Sequence, residues 1–149
     1  MRVDYPSEAE EREILTQTTG RAMAEVPSVM DASEVMTLRN MTRDVHISDD
    51  VVAWITRLVR STRPATSDVA EIREFVRWGA GPRAGQSLVL ASKARALLHG
   101  RLAATREDVR ALAPAVLRHR LLLSFAAEAE SRSADDVIAA LLKSVAFAS

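Results

Sequence analysis

Apolar positions along the chain recur mostly with the period of a helix, and the polar stretches between them have the form of helix starts. Pro6 followed by Ser7-Glu8-Ala9-Glu10 is a capping box, in which the serine hydroxyl takes an orphan backbone amide and the glutamate three residues on returns the bond. A helix is predicted from Ser7 through Ile14 and Leu15 to Gly20, whose tolerance of positive φ suits a helix C-terminus. Residues 21–31 contain Pro27 and show no period, so they read as an irregular connection. The capping pattern returns at Asp31-Ala32-Ser33-Glu34, ahead of Val35, Met36, Leu38 and Met41. Ser48, with Asp49 and Asp50 behind it, opens the plainest helix of all. There Val51, Val52, Ile55, Leu58 and Val59 form one stripe on a 3.6-residue period, and the acids favour the helix dipole.

Arg63-Pro64-Ala65-Thr66-Ser67 breaks that helix, and a loop or short helix leads through Phe75 to Trp78. Pro82 suits the first position of a long helix, where a missing amide costs nothing, and that helix runs to His99-Gly100. Thr105-Arg106-Glu107-Asp108 introduces Val109 and Leu112 and, past a kink expected at Pro114, Val116 and Leu117. Leu121-Leu122-Leu123 fits either a strand or a buried turn. Ser133-Ala134-Asp135-Asp136 caps a final helix carrying Val137, Ile138, Leu141, Leu142 and Val145. The pattern predicts about six helices without a repeat; Trp54 and Trp78 read as core or subunit-contact residues, with the core favoured.

Composition agrees with an all-α helical bundle. The chain's 149 residues are 48% hydrophobic but only 4% aromatic, with 5 Gly and 5 Pro, a mixture rich in helix formers and poor in strand formers. The absence of cysteine excludes disulfides, thiolate zinc sites and thiol nucleophiles from this sequence. No apolar run reaches the ~18 residues that span a bilayer, and the first residues lack a signal-peptide core, so a soluble, cytoplasmic protein is expected. Its 20 basic and 20 acidic residues cancel, which argues against a polyanion binder held by bulk charge. The charge is unevenly spread, however. Residues 1–50 hold 11 acids and 5 Lys or Arg, whereas residues 51–120 hold 5 acids and 13 Lys or Arg, and 18 of the 20 cations are arginine. Arginine suits bidentate recognition of phosphate or carboxylate.

Most catalytic classes find no support. A phosphate-binding P-loop needs a glycine-rich turn ending in Lys and Ser or Thr, and the nearest stretch, Gly79 to Ser87, has no lysine. His46, His99 and His119 match no spacing of metal ligands and read as capping or surface residues. No Gly-x-Ser-x-Gly element presents a nucleophile. The acid pairs Glu107-Asp108 and Asp135-Asp136 fall in first turns, where the helix dipole explains them. What remains is Gly79-Ala80-Gly81-Pro82-Arg83, a turn that delivers one guanidinium from the first turn of a helix, beside backbone amides suited to an anion. The plainer alternative is a Gly-Pro turn followed by a surface arginine.

Taken in order, several segments resemble the C-terminal part of bacterial MoxR-family AAA+ ATPases, from Val3 to Val145. Asp4-Tyr5-Pro6-Ser7 with Glu11-Arg12-Glu13-Ile14-Leu15 is similar to the family's junction between ATPase core and helical lid. Val45-His46-Ile47-Ser48-Asp49 and Leu58-Val59-Arg60-Ser61-Thr62-Arg63 resemble two further stretches. Gly79-Ala80-Gly81-Pro82-Arg83-Ala84 is similar to the family's Gly-Ala-Ser-Pro-Arg-Ala signature, and residues 109–120 resemble a last block.

The resemblance implies that Arg83, with Pro82, is the sensor-2 element, which reaches from the lid to nucleotide phosphates bound in the core. It implies that residues 1–6 are the end of that core and 7–149 the lid, with Tyr5 and Pro6 at the hinge on the adenine side of the nucleotide or simply packed there. Gly81 departs from the family's usual serine, removing a hydroxyl that would cap the helix or fix the turn. The core itself, with its P-loop, metal site and arginine finger, is not in these residues. The expectation is therefore an excised lid, inactive alone, that borrows ATP and Mg from a full-length parent and binds neither tightly by itself. Its expected partners are the ATPase core, neighbouring subunits of a hexameric ring and a von Willebrand factor A domain protein, in chaperone-like remodelling. The rival expectation is a free-standing helical module for protein or nucleic-acid interaction.

Overall fold

The computed structural model describes residues 5–20 and 26–147. The chain divides into two compact units, Met1–Met36 and Thr37–Ser149. In the first, helix α1 (Glu8–Thr18) starts on the predicted box: Ser7 N–H and Oγ donate to the Glu10 carboxylate at 2.8 and 2.7 Å, and Glu10 N–H donates back to Ser7 Oγ. None of its residues is buried. Helix α2 (Ala32–Asp44) begins in this unit and ends in the next. Its start is held reciprocally, Glu34 N–H donating to Asp31 and Asp31 N–H to Glu34, both at 2.8 Å.

The second unit is built around α3 (Asp49–Ser61), whose stripe of Val51, Trp54, Ile55, Leu58 and Val59 is buried, with Val52 at its exposed edge. A 3-10 turn (Pro64–Thr66) and the short helix α4 (Ala70–Phe75) follow, then strand β2 (Val76–Trp78) and the long helix α5 (Pro82–Leu98). Helices α6 (Arg106–Leu117), α7 (Phe125–Ala129) and α8 (Ala134–Ser144) complete the bundle. Ile72, Leu88, Val109, Leu117, Ile138 and Leu141 close on α3 in one core. Each such side chain contributes about 1.5–3 kcal/mol on leaving water. Trp54 sits at its centre, donating Nε1–H to the Val145 carbonyl at 3.0 Å and meeting Phe147 edge-on at 5.7 Å.

The all-α expectation holds, and the six long helices lie where the capping patterns and, for α5, Pro82 put them. Two short helices, α4 and α7, are added to them. The strands are minimal. Strand β1 (His46–Ile47) pairs in parallel with β3 (Ala103–Ala104), and β2 pairs antiparallel with β4 (Leu122–Leu123), so two of the three leucines are strand while Leu121 is buried just before it. Helix α6 continues through Pro114 to Leu117, and the carbonyl that Pro114 leaves without a helical partner belongs to exposed Arg110. One expectation needs correction. Trp78 is 66% exposed: it would share a face with the buried Val76 on a regular strand, but the register is irregular between them, so Val76 faces the core and the Trp78 ring stands outside. The connection at 21–31 is described only from Val26 onward, where it is not helical; Met1 to Asp4, expected as the end of an ATPase core, also lie outside the described residues.

One buried ionic node joins α5 to α6. Asp108, fully buried in the first turn of α6, accepts from Arg95 at 2.6 Å, from both terminal nitrogens of Arg101 at 2.6 and 2.8 Å, and from the Thr105 backbone at 2.9 Å. Arg101's hydrogen bonds are the chief reason the carboxyl is held well below its ordinary range, against the opposing effect of burial. Between the two helices Gly100, at φ +68°, closes α5: its own amide reaches Leu97 and the next reaches Ala96.

Candidate functional site

The segment from Val76 to Arg83 turns the chain from strand into helix. Val76 and Trp78 pair with Leu123 and Leu122, with an irregularity of register between them. The turn then presses against the end of α3. A Cβ on Gly79 would lie 2.3 Å from the Thr62 carbonyl oxygen, so only glycine permits this approach. Next in the chain, the buried Ala80 donates its amide to Thr62 Oγ1 at 2.8 Å, and that hydroxyl donates in turn to the Val59 carbonyl at 2.6 Å. Arg63 Nε reaches the Ala80 carbonyl at 3.4 Å.

Gly81 is the N-cap of α5, in extended conformation with no side-chain capping bond, and Pro82 takes the first helical position. Ala84 N–H bonds back to the Gly81 carbonyl at 3.0 Å. A hydroxyl at position 81 is therefore not what fixes this turn; Thr62, from another helix, does so. Space around Gly81 is open.

Arg83 follows, exposed, and among the described residues no hydrogen bond or ion pair holds its guanidinium. Among the described α-helices α5 is also the one without an acid in its first turn. The positive end of its dipole and the unpartnered guanidinium thus stand together with no first-turn carboxylate to compete for them. A groove of about 640 Å³ beside the turn is bordered by Arg63, Pro64, Arg77, Trp78 and Pro82. Such an arrangement is chemically suited to a phosphate: a fork of fixed charge, a helix start with no competing carboxylate, and a turn that cannot sag away.

Of the residues singled out from sequence, Pro82 and Arg83 stand together here, whereas Tyr5 and Pro6 belong to the other compact unit. There they border a shallow hollow with Glu10, Glu13, Ile14 and Gln17, and Tyr5 is fully exposed. His46, His99 and His119 are exposed, as expected; His99 Nδ1 lies 2.8 Å from the Arg95 carbonyl at the end of α5. Glu107 and Asp108, and Asp135 and Asp136, do occupy first turns. Thr62 was not legible as a site residue. Its only sequence signal is membership of the Leu58–Arg63 stretch.

Comparison with known proteins converges on one family. The AAA lid domain matches residues 70–141. The chain is 32% identical over 146 residues to the Mycobacterium tuberculosis protein Chaperone MoxR1, covering 97% of this chain and 38% of that one. It is 28% identical over 146 residues to Bacillus subtilis YeaC, an uncharacterized protein, covering 43% of it. A crystal structure of a candidate ATPase from Cytophaga hutchinsonii superposes with a TM-score of 0.80 at 28% identity, over 99% of this chain and 45% of that one. The chain thus spans about two fifths of the length of the curated relatives it matches.

Proposed function

Because this chain is a MoxR-family AAA+ lid region, we propose that it serves an ATPase core as the lid that reads the state of the bound nucleotide, through Arg83 as the sensor-2 residue. The observation that carries the proposal is the unpartnered guanidinium of Arg83, fixed to the start of a helix whose first turn has no acid. In such an ATPase, Mg-bound ATP supplies the anionic phosphates. Arg83 supplies a charged fork that stays protonated throughout and approaches those phosphates from the lid side. Its grip differs with and without the terminal phosphate, and that difference is what repositions the lid. Pro82 fixes the direction in which Arg83 leaves the turn. Tyr5 and Pro6 contribute on the adenine side, where the tyrosine ring is free to pack. The wider assignment follows the same reading: a cytoplasmic hexamer in chaperone-like remodelling of partner proteins, working with a von Willebrand factor A domain protein.

The test is Arg83→Ala in the ATPase that carries this lid. ATP turnover is expected to fall about tenfold or more while the helical fold and its cooperative melt persist, as loss of one charge-stabilising donor does. Unchanged turnover would remove Arg83 from the nucleotide site.

A further inference from the structure

We infer that Thr62 is the positioning residue for Arg83, so that the end of α3 and the start of α5 answer to nucleotide as one body. The inference rests on the sensor reading of Arg83 given above. Thr62 lies in α3's C-terminal cap and is fully buried. Its hydroxyl is used twice, accepting from Ala80 N–H at 2.8 Å and donating to the Val59 carbonyl at 2.6 Å. The same residue's carbonyl fills the space where a side chain on Gly79 would stand. Neighbouring Arg63 adds a third tie, from Nε to the Ala80 carbonyl. All three converge within four residues of Arg83, at a turn whose own N-cap contributes no side-chain bond. A flexible glycine-rich turn would let the guanidinium wander by an ångström or more, and misplacement on that scale is what degrades electrostatic catalysis. The tie also works in reverse. Force on Arg83 passes through Ala80 into the end of α3, where Thr62 continues the buried stripe of Ile55, Leu58 and Val59 that carries the core of the bundle.

The experiment compares Arg83→Ala, Thr62→Val, Thr62→Ser and the double variant Thr62→Val/Arg83→Ala in the ATPase bearing this lid, measuring kcat and KM for ATP. Thr62→Val keeps the shape and deletes the hydroxyl. It is expected to lower kcat/KM at least about fivefold, shifting kcat and KM in the same directions as Arg83→Ala. Thr62→Ser restores the parent values. The double variant is no worse than Arg83→Ala alone, because a positioning residue has nothing left to position. If Arg83→Ala impairs turnover but Thr62→Val does not, or if the double variant shows both losses in full, the positioning role is wrong and the sensor reading stands. If Arg83→Ala changes nothing, the sensor reading fails and takes this inference with it. Should Thr62→Val not fold, amide exchange in the parent decides: the Ala80 amide is expected to be as protected as the last amides of α3 and to slow further with ATP, whereas exchange at the rate of an open loop overturns the tie.

Discussion

Gly79 shows how much one missing side chain determines. Its Cα lies against the backbone of Thr62 and Arg63, and neither is the movable end of a side chain. Gly79→Ala is therefore expected to destabilise the protein by about 2–3 kcal/mol, the range of overpacking against a fixed neighbour, read as a fall in the urea midpoint with the slope unchanged. Gly81, two residues on, has nothing around it and imposes no such limit. At this scale the sequence was legible where chemistry is local. Pro82-Arg83 advertises a helix start bearing a charge, and the role of Gly79-Ala80-Gly81 as a turn follows from composition. The partner of that turn was not legible, because Thr62 is separated from Ala80 by 18 residues and its hydroxyl has no signature in hydropathy. Trp78 misled for a related reason: its residue type favours burial, but its place on a strand at the molecule's surface decides otherwise.

Among elements, the long helices were legible because each announces its start chemically, and α3, α6 and α8 announce a buried face periodically as well. Ser7, Asp31 and Ser133 form the reciprocal bonds that their sequences promise. Helix α7 has five residues and ends on Ser131 at φ 54°, a left-handed position that glycine would have signalled. Strands of two or three residues are shorter than any period can mark. The α5–α6 pair owes its fixity to Asp108, and this gives the fold an acid-sensitive joint. The folded carboxyl is held below its ordinary 3.8 by Arg101 and the Thr105 amide. A depressed folded value contributes stability that is complete above the unfolded pKa of ~3.9 and drains as pH falls towards the folded value. Stability measured by denaturant is expected to decline below about pH 4. Asp108→Asn is expected to remove that part of the decline and to cost about 2–4 kcal/mol at pH 7, since it leaves two arginines facing a neutral group. A pH profile identical to the parent's would contradict the assignment.

For the molecule as a whole, stability is unevenly distributed between the two units. The core of Thr37–Ser149 gathers Trp54, Leu58, Ile72, Leu88, Leu117 and Ile138, whereas α1 buries none of its 11 residues. A helix of that length is marginal in water without tertiary support, whatever its capping box contributes. Hydrogen exchange is expected to grade accordingly, with α3, α5 and α6 amides protected to the level of global unfolding and α1 amides exchanging orders of magnitude faster. Equal protection in α1 would mean that something covers it in solution.

The environments of the two tryptophans have an optical consequence. Trp54 is enclosed and hydrogen-bonded in the core, while Trp78 stands in solvent immediately before the turn that bears Arg83. The protein therefore carries two emitters of different colour, one blue-shifted and beyond the reach of a dissolved quencher, the other red-shifted and open to it. The quenchable emission comes from the turn alone, five residues from the arginine, so the state of that turn is visible without any label.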